Sequence, residues 1–224
     1  MPAVFTYQSL LVSLRRYVER YNDSTMDDQL PYIVTLAEYR ISQEVKVLPA
    51  IQFVTDNFTA GAAVYGKPAR LRDTEFINFG CGVAGFETTA PFNRRINLER
   101  RAYDFCRQFW PDPTVQGVPQ FYSDYGMGYW LVVPTPNAAY PWEVGFYERA
   151  EPLSDSQQTN WITQYAPNLL LYACLLELAP FLKNQEAKAM WQEMYNRAAL
   201  ALSNEDVLQS TDAQSSSTQG GTGP

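Results

Sequence analysis

Carboxylates, arginines and three cysteines are the residues with chemical potential here, because the chain contains no histidine. Without imidazole there is no Ser–His–Asp or Cys–His arrangement, no His-containing metal site and no imidazole general base. Cys81, Cys106 and Cys174 are odd in number, widely spaced and form no C-x-x-C pair. They read as reduced thiols of an intracellular product. Seven acids, Asp27, Asp28, Asp112, Asp124, Glu143, Glu148 and Glu151, could supply the paired carboxylates of a glycan-active enzyme. Solvation at the surface is their ordinary role. The run GCGVAG (80–85) has the form G-x-G-x-x-G, but the loop-like FETTAPFN follows where a helix should open. YGKPAR (65–70) has one glycine before its lysine and is no phosphate loop. No cofactor and no metal are expected.

One basic cluster stands out. RRINLERR (94–101) sets Arg94, Arg95, Arg100 and Arg101 against Glu99, a net charge of +3. Such a run is a salt-bridged face, a contact for an acidic partner surface, or a contact for DNA phosphates. A protein interface is the favoured functional reading. The aromatics of FYSDYGMGYW (121–130) could stack on sugar rings, but alternating aromatics more often form a sheet face packed on a core.

These residues need elements to hold them, and the pattern changes twice along the chain. Thr6 can cap a helix with Tyr7, Leu10, Leu11, Leu14, Val18 and Tyr21 on one face. NDST (22–25) breaks it. Met26–Leu48 predicts a second helix with Pro31 in its first turn and Pro49 as its stop, so that the two form an αα-hairpin. The middle is rich in aromatic and β-branched runs divided by Gly, Pro and Asn, and predicts a small antiparallel sheet carrying one helix before WPDPT. Tyr125–Gly128 is its clearest hairpin turn. From Ser154 the pattern is helical again. Pro167 opens a helix and Pro180 breaks or kinks it. Asn184 caps a last helix with Ala187, Met190, Trp191, Met194, Tyr195, Ala198, Ala201 and Leu202 inward. The apolar run Leu169–Leu176 is too short to cross a membrane, and Glu177 beside it needs an arginine or backbone N–H partner.

The fold class expected is therefore α+β. It is mainly a helical bundle of an N-terminal hairpin and C-terminal helices, with an inserted antiparallel β-rich region. The helical domain is 1–49 with 154–208, the insert 50–153, and 209–224 an extended C-terminal tail. That tail is polar, and residues 203–224 carry three acids and no base of a chain whose net charge is −7. Nothing in this balance resembles a dedicated nucleic-acid binder. Arg outnumbers Lys thirteen to four, as interfaces favour.

The order of motifs carries a resemblance. LPYIVTLAEYRISQEV lies in the opening helices, YDFCRQFWPDP (103–113) in the middle. The block YWLVVPTPNAAYPWEVGFYERAEPLSDSQQTNWITQYAPNLLLYACLLELAPFLKN begins at Tyr129, and EAKAMWQEMYNRAALAL closes the pattern. Over about residues 5–202 the chain resembles the head-to-tail adaptor (connector) proteins of tailed, especially short-tailed, bacteriophages. The resemblance implies a non-enzymatic structural protein of the virion head–tail junction, made in the host cytoplasm. It implies a homo-oligomeric ring, usually of twelve copies, between the portal protein and the tail nozzle protein, with tail fibres nearby, DNA passing through and no membrane partner. By analogy with such families the tail, with Val207, Leu208, Gln209, Asp212, Gln214, Gln219 and Pro224, docks on the portal. A nozzle or tail-tube component that does not touch the portal is the alternative within the virion. A carboxylate-dependent glycan-active enzyme is the alternative outside it.

Overall fold

The computed structural model describes residues 5–20, 23–80, 95–183 and 185–218 of the chain. The protein is α+β and separates into two compact units. One is built from residues 1–50 and 149–224, the other from residues 51–148.

In the first unit, α1 (Tyr7–Tyr17) starts where Thr6 and Ser9 cap each other reciprocally. The Thr6 hydroxyl accepts the Ser9 N–H, and the Ser9 hydroxyl accepts the Thr6 N–H. Leu10, Leu11 and Leu14 form its buried face. α2 runs Ser24–Glu44, which corrects the bounds read from the sequence. Asp23 supplies the start, because its carboxylate accepts the N–H groups of Thr25 and Met26. Pro31 therefore lies inside the helix and not in its first turn. It sits on the exposed side, where the carbonyl it leaves unbonded can meet water. Val45 turns the chain extended, and Pro49 falls in a separate 3₁₀ turn, Leu48–Ala50.

Asn160 caps the short α4 (Trp161–Tyr165), and α5 (Pro167–Leu182) opens on Pro167. Pro180 does not break α5. It stands in the last turn, and the helix ends only at Lys183, in the left-handed region. Leu169, Leu170, Leu175 and Leu176 are buried and Phe181 is half-buried. α5 is central to its unit, packing on α1, α2, α4 and the long α6 (Gln185–Thr218).

Two expectations for this last helix are corrected. Met190 and Ala201 face outward, because the buried face centres on Trp191 and Tyr195 and they lie about 120° and about 100° from that centre. The segment from Gln209 is not extended: its backbone continues α6 to Thr218. Extending a formed helix costs far less than starting one, and neither Gly nor Pro interrupts the run before Gly220. The cap expected at Asn184 lies outside the described residues.

The second unit holds more than the single small sheet expected. One four-stranded sheet has the order β1-β10-β3-β4, with β1 Ile51–Asn57, β10 Pro141–Glu148, β3 Leu71–Gly80 and β4 Arg95–Asn97, all antiparallel. A second has the order β2-β8-β7-β5, with β2 Val64–Gly66, β8 Tyr129–Val133, β7 Phe121–Tyr125 and β5 Glu99–Arg100. A short parallel pair, β6 Gln116–Gly117 with β9 Thr135–Pro136, makes a third. The β7–β8 hairpin turns through Gly126–Gly128, as its glycines predict, and Gly126 takes a positive φ of 68°. The core is aromatic: Phe58 stacks on Trp142 at 5.4 Å, and Trp130 meets Trp142 edge-on at 5.9 Å. The buried Trp130 indole N–H donates to the Thr74 hydroxyl at 2.9 Å.

Candidate interaction site

Three of the four arginines singled out in the sequence are described, and each is held by a carboxylate. Arg94 lies outside the described residues. Arg95, on β4, pairs with Glu143 on β10. Arg100 is placed by β5, which pairs in parallel with β7 and so brings its guanidinium beside the next strand's acid. It binds Asp124 at 2.6 Å and Asp73 at 3.1 Å. Arg101 pairs with Glu99 at 2.6 Å and lies over the rings of Phe105, at 5.2 Å, and Phe121, at 6.0 Å.

Asp124 is the hinge of this network. Lys67, whose side chain is only 6% exposed, donates to it at 2.7 Å and to the Gly126 carbonyl at 3.3 Å. Burial pushes the Asp124 carboxyl up, but hydrogen bonds from Lys67 and Arg100 more than offset this and hold it below the usual carboxylate range. A carboxylate kept ionised between two cations is poorly suited to donate a proton as a general acid. Two cations and two anions also leave the group electrically balanced.

Arg100, Arg101, Ala102, Tyr103 and Asp124 line a cleft of about 440 Å³. One rim is α3 (Tyr103–Phe109), whose presence before WPDPT the sequence predicts. α3 is mostly uncovered. Tyr103 stacks on Tyr125 at 5.8 Å, Phe105 on Phe109 at 6.0 Å, and Arg107 lies 5.3 Å over the Tyr103 ring. Tyr103, Phe105, Phe109, Tyr125, Met127 and Tyr129 are all exposed. This ledge of aromatic and arginine side chains is not foreseen in the sequence, where the aromatics of 121–130 read as a sheet face against the core and 103–109 only as part of a short helix. The available signal was a helix of only seven residues with aromatics on more than one side, which a small sheet cannot cover.

The helical unit holds a second charged network. Arg40 on α2 donates to Glu177 on α5 at 2.6 Å through Nε and contacts it again at 2.5 Å through Nη2. Glu177 thus has the arginine its setting requires. Arg40 also reaches Glu44 at 3.5 Å, and the Tyr195 hydroxyl donates to Glu44 at 2.5 Å, so α2, α5 and α6 are tied together. Glu38 lies half a turn before Arg40 on α2 and is buried, with no cation paired to it among the described residues. It accepts the Leu153 N–H at 3.2 Å and the Asn160 side-chain N–H at 2.7 Å. Burial drives its carboxyl up, against those two hydrogen bonds, to about 7.

The two described cysteines are poorly placed to form a thiolate. Cys106 and Cys174 are free and buried, and burial pushes both thiols up. Cys81 and the rest of GCGVAG after Gly80 lie outside the described residues. Of the tail residues named above, Val207, Leu208, Gln209, Asp212 and Gln214 lie along the α6 backbone, while Gln219 and Pro224 lie outside the described residues. No described helix is long and apolar enough to cross a membrane.

Surfaces of this kind, with charges neutralised in place and aromatics left open, have the composition that protein–protein interfaces favour. The family model of the SU10 adaptor protein matches residues 5–220, and the chain belongs to that family. It is a phage adaptor protein, a component of the virion that associates with other virion proteins. No curated protein matches it.

Proposed function

We propose that the chain is a non-enzymatic subunit of a homo-oligomeric ring between the portal and the tail nozzle and fibres, through whose centre DNA passes. The adaptor-family match across nearly the whole chain carries this reading. In it the helices of residues 1–49 and 154–208 form a bundle that is the body of the ring. Residues 50–153 present the α3 ledge to a neighbouring virion protein, and the segment from Val207 to Pro224 docks on the portal. The paired state of Arg95, Arg100 and Arg101 favours protein contact over phosphate contact for the basic cluster.

Mixing the protein with its cognate portal and imaging the product tests the reading. A ring on the tail-side face of the portal is expected, and a portal that stays bare would overturn it. Cross-linking to the tail nozzle but not to the portal would move the protein below the adaptor position. Deleting Gln209–Pro224 should weaken attachment; unchanged attachment would remove the tail from the contact.

A further inference from the structure

The helical unit carries two outward rows of exposed side chains. On α2, Tyr32, Leu36 and Tyr39 are 68, 51 and 52% exposed and recur at intervals of four and three. Gln29 and Gln43 continue the row at either end. On α6, Met190 and Leu200 are 54 and 62% exposed, with the exposed Glu193 and Arg197 between them and Asn204 beyond. At about 100° per residue, each row points away from the buried face of its own helix.

The rows match. Gln29 to Gln43 and Met190 to Asn204 are each about 21 Å long, and both follow the three-four spacing that lets two helices interlock at a shallow angle. Both are neutral: the α2 row has no charge, and Glu193 and Arg197 on α6 pair with each other at 3.0 Å. The chemistry is complementary too, because tyrosine faces accept a guanidinium and a thioether. α5 packs on both α2 and α6, so the rows belong to one compact unit and look outward from it. They cannot cover each other within one copy.

We infer that the Tyr32–Leu36–Tyr39 face of one copy docks on the Met190–Arg197–Leu200 face of the next. This contact is heterologous, joining two different faces, as a closed ring of identical subunits requires. The inference rests on the ring reading above and adds the surfaces that would build it.

Two full-length variants test it, each spoiling one face at an exposed position: Leu36→Glu and Leu200→Glu. Circular dichroism and melting temperature should match wild type, as neither residue is in the core. Light scattering after size exclusion should show wild type assembled and each variant alone as a monomer. Mixed in equal amounts, the variants should form a heterodimer of doubled mass, because each retains the face the other lacks. A wild-type assembly that survives both substitutions overturns these surfaces and leaves the ring reading standing. A mixture that stays monomeric, while wild type assembles, overturns the head-to-tail pairing of the two rows. Wild type that remains monomeric both alone and with the cognate portal overturns the ring reading and this inference together.

Discussion

The two units differ in how they satisfy their carboxylates. The helical unit takes carboxylates inward: Glu177 is met by Arg40 from another helix, and Glu38 by N–H groups alone among the described residues. The β-rich unit keeps Asp124, Asp73 and Glu99 nearer the solvent, where they and the more enclosed Glu143 neutralise a row of arginines in place. Its interior is dominated by rings, and the enclosed Lys67 is held by Asp124. The difference teaches where each unit is vulnerable. The helical unit should respond to pH and to loss of an ion partner, the β-rich unit to loss of packing.

The largest effect should come from the aromatic core. Trp130→Ala removes a fully buried ring and its hydrogen bond to Thr74, and should cost about 3–5 kcal/mol. Urea unfolding would measure the loss, with raised hydrogen exchange across residues 51–148. A change below about 1 kcal/mol would mean the ring is not part of the core. Next is Glu38. Its folded pKa of about 7 lies above the ordinary 4.5, so the folded state holds the extra proton and stability falls as pH rises through that interval. Glu38→Gln, which keeps the acceptor and removes the charge, should flatten the slope. Between about pH 4.5 and pH 8 the wild type should lose on the order of 3 kcal/mol relative to the variant. Parallel curves would refute the buried carboxylate's role.

Breaking the Arg40–Glu177 pair should matter less, since Arg40 is partly solvated. Arg40→Ala should cost about 1–3 kcal/mol, and a double-mutant cycle with Glu177→Ala should recover a coupling between them. The smallest effect belongs to the β-rich rim. Glu99→Ala removes an exposed partner of Arg101 and should change stability by less than about 1 kcal/mol, because exposed pairs are weak. A loss as large as that at Trp130 would erase the contrast between the units.

Features written in neighbouring residues were legible beforehand. Thr6 as a cap, Pro167 as a helix opening and Gly126–Gly128 as a hairpin turn each depend on a few adjacent side chains. Pro31 misleads because a proline's preference for a first turn is outweighed by the start signal at Asp23, eight residues earlier. Met190 misleads because an apolar residue near helical spacing need not face inward. The surroundings of Glu38 could not be read at all. Its partners Leu153 and Asn160 lie 115 and 122 residues away, and only the fold brings them together. The same holds for Arg100, whose run advertised positive charge while Asp73 and Asp124, on two other strands, cancel it. That Glu177 needed a partner followed from its apolar setting; that the partner is Arg40 did not.

The separation of Arg40 from Glu177, 137 residues along the chain, also sets a schedule. At about 5–20 residues per second, α5 leaves the ribosome roughly 7–27 s after α2. Through that interval the apolar stripe of Leu30, Ile33, Val34 and Ile41 has no central helix to pack on, and within it the β-rich unit becomes complete in sequence before α5 does. The segment that interrupts the helical unit can thus finish folding before the unit it interrupts can begin to close.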